Sequence, residues 1–143
     1  MMRLVIIASL ATLYLNPPMQ KSADTTLPPC PGSPNCVSTE ATGESQRVPT
    51  VPFTDAPAAA LARAKAALLA EPRTKLTVER DGHLHAECKS FLFRFVDDVD
   101  IVVDPVARVY RFRSASRVGE SDLGVNRKRI ARIAARLAPT TAK

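Results

Sequence analysis

The sequence lacks an apolar run long enough to cross a membrane. Its longest run, Leu4 to Leu15, has twelve residues, whereas a transmembrane helix needs about 20. Arg3 precedes this run and Asn16-Pro17-Pro18 follows it, an order typical of a signal peptide. We therefore expect residues 1–23 to be a signal peptide or an N-terminal membrane anchor, with a buried helix as the alternative. The protein would then be exported, and either periplasmic or tethered to the inner membrane.

Glycine is scarce, with five residues, whereas there are twelve prolines. Nine of these prolines precede Ala58, which disfavours long helices and regular strands in that part of the chain. A length of 143 residues suffices for one domain with a core and is too short for two ordinary ones. We expect a proline-rich segment over 24–52, a folded domain over 53–138 and a tail over 139–143.

Cysteine is also rare, with three residues in all. Cys30 and Cys36 flank a short loop that contains two prolines and a glycine. In an oxidising compartment the simplest chemistry for this pair is a disulfide, with free thiols or a metal as alternatives. Cys88 is the odd one, and we expect it to be a small buried hydrophobe.

Acidic residues are scarce near the C-terminus. Residues 108–143 hold ten Lys and Arg against two acids, a net charge of +8. Such a field attracts phosphates, carboxylates or anionic lipid surfaces, although a solvated helix face is the simpler interpretation. Nucleic acid is not expected as a partner. No aromatic residues interleave with the arginines of the last helix, and export would keep the protein away from nucleic acid.

Two segments carry the apolar stripe of an amphipathic helix. The first, residues 56–70, is expected to be capped near Thr54 or Asp55. The second begins at a Ser121-Asp122 cap and continues to Leu137, with the residues on one side spaced by three and four. We predict one helix before the strands and one after them.

Between the two helices, alternation and β-propensity predict strands at 75–80, 83–89, 91–96, 99–103 and 109–115. Asp81-Gly82 suits a two-residue hairpin turn, and Asp97-Asp98 is taken as another turn. Consecutive strands with short connections favour an antiparallel meander. The expected fold is a single α+β domain with a sheet of four to five strands, one face of which is covered by both helices.

Five sequence blocks carry a resemblance to a known family. They are Cys30-Pro-Gly-Ser-Pro-Asn-Cys36-Val-Ser, Leu84-His85-Ala86-Glu87, Leu92-Phe-Arg-Phe-Val-Asp-Asp98-Val, Arg113-Ser-Ala-Ser-Arg117-Val-Gly and Ser121-Asp-Leu-Gly-Val-Asn126-Arg127. In this order they resemble the signature blocks of the domain of unknown function family 1499. The resemblance implies an exported or membrane-tethered domain without an established biochemical activity. Cys88 departs from the family, which tends to have a bulky residue there.

Polar residues of these blocks form the candidate ligand site: His85, Arg94, Asp97, Asp98, Ser114, Ser116, Arg117, Asp122, Asn126 and Arg127. The segment before the last helix offers hydroxyls, an arginine and a helix N-terminus, all of which favour an anion. The alternative is a structural network in which Arg117 or Arg127 pairs with Asp97 or Asp98. Because Asn126 lies on an apolar stripe, it needs hydrogen-bond partners if it is buried.

Three function classes follow, and a non-enzymatic domain that recognises a small anion or an anionic head group is preferred. The second is a small hydrolase that uses His85 with Asp97 or Asp98 as an acid/base set. The third is an electrostatic module whose last helix meets an anionic membrane through Arg129, Arg132 and Arg136. The pair His83-x-His85 is too weak a signal for zinc, and we expect neither a metal nor a cofactor.

Overall fold

The computed structural model of the protein describes residues 26–119 and 121–139. The predicted signal peptide or anchor at residues 1–23 lies outside these ranges, as does most of the predicted tail. In the described ranges, none of the helices has the length and apolar character needed to cross a membrane.

Two helices and six strands make up the described chain: β1 (Cys36–Ser38), β2 (Val51–Pro52), α1 (Pro57–Leu69), β3 (Thr74–Arg80), β4 (His83–Lys89), β5 (Val96–Asp104), β6 (Val109–Ser116) and α2 (Val125–Leu137). The strands form one antiparallel sheet in the order β1-β6-β5-β4-β3, and β2 also pairs with β6. The predicted single α+β domain is confirmed.

Both helices pack on one face of the sheet. Alternate residues of β4, β5 and β6 point to this face, and among them Leu84, Ile101 and Phe112 are fully buried. The Tyr110 hydroxyl donates to the carbonyl of Ala60 at 3.0 Å, so a buried polar contact also joins β6 to α1. The opposite sheet face carries no helix and presents charged residues instead.

The cysteines are arranged as the sequence suggested. Cys30 and Cys36 form a disulfide, which fastens the segment before β1 to the edge of the sheet. Cys88 is a buried thiol on the helix-covered face of β4. Burial raises the pKa of this thiol, so it stays protonated and is a poor nucleophile.

The sheet extends N-terminally of Phe53, where the proline content placed the start of the domain. β1 pairs with β6 from Cys36 onward, and Val37 and Val48 contribute to the core. These added strands are short and include Pro52, a residue that an edge position tolerates because no ladder hydrogen bond is lost there.

The strand and turn predicted at residues 91–98 are wrong. β5 continues through Asp97-Asp98, which pair with Ser116 and Ala115 of β6. Residues 90–95 form the loop between β4 and β5. A strand was predicted at 91–96 because its aromatic residues are typical of strands. A turn was predicted at Asp97-Asp98 because adjacent acids are typical of turns. In fact the two carboxylates point to opposite sheet faces.

The helix caps differ from one another. Neither Thr54 nor Asp55 caps α1, which begins with Pro57 and has no side-chain hydrogen bond at its N-cap. Asp55 instead forms a bidentate pair with Arg63. α2 begins at Val125 with Gly124 as its N-cap, so neither Ser121 nor Asp122 is the capping residue. The Asp122 carboxylate nevertheless accepts hydrogen bonds from the amides of Gly124 and Asn126.

Candidate functional site

Asn126 is the centre of a buried network between α2 and the sheet. Its Nδ2 lies 3.0 Å from the Asn35 carbonyl, 2.9 Å from Ser116 Oγ and 2.7 Å from Asp122 Oδ2. Its Oδ1 accepts a hydrogen bond from the Ser114 hydroxyl. A fully buried amide on an apolar stripe is thus satisfied by the protein itself.

Arg129 extends this network to Asp97. Its Nη2 lies 2.6 Å from Asp97 Oδ2, and its Nη1 donates to Asn126 Oδ1 at 2.7 Å and to Ser114 Oγ at 3.0 Å. Both side chains of the ion pair are more than nine-tenths buried. Five of the predicted ligand residues therefore belong to a structural network that fastens α2 to the sheet, as the alternative to a ligand site proposed. They are Asp97, Ser114, Ser116, Asp122 and Asn126.

The start of α2, where the sequence predicted an anion, is occupied by the protein's own Asp122. Asp122 Oδ1 accepts from the Gly124 amide at 2.9 Å, and Oδ2 accepts from the Asn126 amide at 2.8 Å. The protein's own carboxylate thus occupies the donors that would otherwise attract an anion. Arg127 turns away and donates to the carbonyls of Arg47 and Ser45.

His85 lies on the helix-free sheet face, between two carboxylates. Its Nδ1 is 2.7 Å from Asp100 Oδ1, and its Nε2 is 3.2 Å from Asp98 Oδ1. His83 Nε2 reaches the same Asp100 oxygen at 2.9 Å. Burial by itself would raise the pKa of Asp100, but its hydrogen bonds to the two imidazoles outweigh that effect and the pKa is lowered.

Arg117 completes this surface network. It forms a bidentate pair with Asp98, at 2.9 Å from Nε and 2.8 Å from Nη2, and Nη2 also lies 2.6 Å from Glu87 Oε1. The hydrogen bonds from Arg117 hold the pKa of Asp98 below its usual value. Two carboxylates therefore pair with the guanidinium that was predicted to bind a ligand, through its Nε and Nη2.

These positions weaken the hydrolase hypothesis. Asp97 and His85 lie on opposite faces of the sheet, so they do not form a pair. Asp98 does meet His85, yet its carboxylate is already neutralised by Arg117. Strand alternation could have identified Asp100 as the missed partner, because it shares a face with Asp98. Among the described residues, no group of three or more His, Cys, Asp and Glu side chains could hold a metal.

The three α2 arginines that the sequence assigned to a membrane surface all have carboxylate partners in the fold. Arg129 is buried with Asp97. Arg132 and Arg136 both bind Glu71, whose side chain is almost entirely buried at the end of α1. Burial would raise the pKa of Glu71, but the two guanidinium groups lower it below its ordinary value. Part of the positive charge of α2 is thus paired within the fold.

Arg94 lies apart from the other predicted residues, in a depression of about 250 Å³ lined by Arg73, Thr74, Lys75, Glu87, Lys89 and Arg94. We call this the cationic depression. Lys75 pairs with Glu87 in the β3–β4 register, and Arg73 Nε donates to the Lys89 carbonyl at 2.9 Å. Arg73, Lys75 and Lys89 were not among the predicted site residues, although alternation along β3 and β4 could have placed Lys75 beside Lys89.

The cationic depression gathers four cations around a single acid. Within 26–119 and 121–139, none of them lies within ion-pair distance of a carboxylate. The one acid in the lining, Glu87, is held by Arg117. By contrast, a second depression, of about 290 Å³, beside the start of α1 contains Arg63 already paired with Asp55.

Comparison with known proteins agrees with the sequence blocks. No curated protein matches the chain. The model of one family, described as a protein of unknown function (DUF1499), matches residues 26–137, which is most of the chain. The match begins where the described chain begins and ends with α2, so it spans the whole sheet and both helices. The chain therefore belongs to the DUF1499 family.

Proposed function

We propose that this domain is a non-enzymatic, exported binding module that recognises a small anion or an anionic head group in the cationic depression. The observation that carries the proposal is the set of four cations, Arg73, Lys75, Lys89 and Arg94, without a carboxylate partner in the described chain. Like charges held close together repel, and a bound anion would relieve that repulsion.

The chemistry of the lining suits a phosphate or sulfate group. Guanidinium groups offer paired donors to such oxyanions, and ammonium groups act as point charges. Arg73 is oriented in advance, because its Nε is bonded to the Lys89 carbonyl and its guanidinium lies 5.6 Å from the centre of the Phe91 ring. Glu87 is the one acid of the lining, and its carboxylate pairs with Arg117 rather than with a cation of the depression.

Thermal unfolding in phosphate tests this proposal against sodium chloride of equal ionic strength. A ligand that binds only the folded state stabilises it, by about 2.7 kcal/mol at a hundred times its Kd. We expect phosphate to raise the Tm of the wild type, and Lys75→Gln combined with Lys89→Gln to remove the rise. Glu87→Gln should increase it, because that substitution removes the acid of the lining.

Lys128→Gln is the matched control, because Lys128 is an exposed lysine of α2 outside the depression. It should leave the phosphate response unchanged. A wild-type Tm that does not respond to phosphate, or an equal loss of response in Lys128→Gln, would contradict the proposal.

A further inference from the structure

The β4–β5 loop, residues 90–95, exposes large apolar side chains beside the cationic depression. The exposed fractions are 80% for Phe91, 74% for Leu92, 68% for Phe93 and 51% for Phe95. Single exposed apolar residues are common, but a contiguous group marks an interaction surface. The other large exposed apolar residues of the described chain are Leu69, Val106, Val118, Leu123 and Val125, none of which is adjacent to another in the sequence.

This loop is ordered by its own hydrogen bonds rather than by burial. The Ser90 amide donates to the Phe95 carbonyl at 2.8 Å, and the Phe95 amide donates to Ser90 Oγ at 2.9 Å. The rings of Phe93 and Phe95 stack with their centres 5.5 Å apart. The apolar residues therefore lie on a closed loop that projects from the end of the sheet.

Positive charge surrounds the base of the loop. Lys89 immediately precedes it and Arg94 lies within it, while Arg73 lies over Phe91. Arg73 and Lys75 approach from the neighbouring strand β3. Exposed phenylalanine and leucine next to basic residues is the composition of segments that enter the boundary between lipid head groups and acyl chains.

We propose that the β4–β5 loop docks this domain onto an anionic lipid bilayer. Phe91, Leu92 and Phe93 enter the interface, while the cations of the depression contact lipid phosphates. The contact between the cations and lipid phosphates rests on the proposed function. The insertion of the loop rests independently on the exposure of its apolar side chains. A bilayer complements both features at once, since it offers negative head groups over an apolar interior.

The absence of tryptophan from the sequence allows a direct test. In the full chain, Phe93→Trp puts a sole tryptophan in the loop, and Val106→Trp puts one in the turn after β5. These positions are separated by the nine residues of β5, about 26 Å at the rise of a strand. Quenching by brominated lipids reports which tryptophan enters the bilayer, whatever else in the chain binds the vesicle.

We expect phosphatidylglycerol-containing vesicles to shift the emission of Phe93→Trp to the blue and allow quenching, with neither effect in Val106→Trp. Vesicles of phosphatidylcholine alone should bind the loop more weakly. Adding Lys75→Gln and Lys89→Gln should weaken binding roughly fivefold for each lysine. Adding Phe91→Ser should weaken it at least about tenfold.

The outcomes separate this inference from the proposed function. If phosphate raises the Tm but Phe93→Trp is not quenched, the docking inference fails and anion binding stands. The loop would then be assigned to a protein partner. If Phe93→Trp is quenched without any phosphate response, docking stands and the anion site fails. Equal quenching of both tryptophans, or equal quenching of Phe93→Trp in neutral and anionic vesicles, overturns docking as proposed here.

Discussion

Replacing Arg129 by methionine tests whether the network around Asn126 is structural. The side chains of Arg129 and Asp97 are 8% and 7% exposed, and their charged atoms lie 2.6 Å apart. Methionine keeps an apolar stem but removes the guanidinium. Asp97 then remains buried without its cation, and Ser114 Oγ loses a donor.

The expected cost is large because the carboxylate left behind cannot reach water. Removing one partner of a buried ion pair costs about 3–5 kcal/mol, out of a total stability of about 5–15 kcal/mol for an ordinary domain. Lys65 and Glu79 provide a matched control, since each is 40% exposed in their ion pair. Lys65→Met should cost at most about 1 kcal/mol.

Urea denaturation followed by circular dichroism measures both costs. Arg129→Met should lower the midpoint far more than Lys65→Met, with an unchanged slope. Asp97→Asn in the Arg129→Met background should recover part of the loss, because a neutral amide leaves no buried charge. If Arg129→Met costs no more than Lys65→Met, the buried pair does not hold α2 on the sheet.

Two further predictions concern pH and thiols. The fold lowers the pKa values of three carboxyl groups, those of Glu71, Asp98 and Asp100. The stability that they contribute is therefore present above about pH 4, and it is lost as the pH falls through the lowered pKa values of the folded state. Thermal melts should therefore show a falling Tm toward about pH 3, and the destabilisation caused by Glu71→Gln should shrink over that range; a constant difference would contradict the role of Arg132 and Arg136. Thiol labelling of the unreduced, denatured protein should modify Cys88 alone, whereas labelling of Cys30 or Cys36 as well would contradict the disulfide.

Local patterns in the sequence predict much of this fold. The alternation in residues 83–89 identifies β4 together with its buried Leu84, Ala86 and Cys88. The apolar stripes locate both helices to within a few residues. The strand β5 was divided wrongly because Asp97-Asp98 has a turn-like composition. The two carboxylates are stabilised by arginines that are distant in the sequence, Arg129 for Asp97 and Arg117 for Asp98, and these pairs form only in the folded protein.

The candidate site was harder to predict, because pairing across the fold decides which charges remain available. Sequence alone does not reveal that Arg117 is held by both Asp98 and Glu87. Of the alternative pairings of Arg117 or Arg127 with Asp97 or Asp98, the pair of Arg117 and Asp98 is the one that is found. The cationic depression was missed because Arg73 lies before β3 and meets Lys89 only after the hairpin forms.

Mapping the phosphate response residue by residue tests the central claim most directly. In a proton–nitrogen correlation spectrum of the full chain, titration with phosphate should shift the backbone amides of residues 73–75 and 87–94, which surround the cationic depression. The amide signals of residues 121–127 should not shift, because the Asp122 carboxylate already accepts hydrogen bonds from amides at the start of α2. The proposed location of the anion site is wrong if the largest shifts fall at Arg117 and residues 121–127 while the amide signals around the depression do not shift.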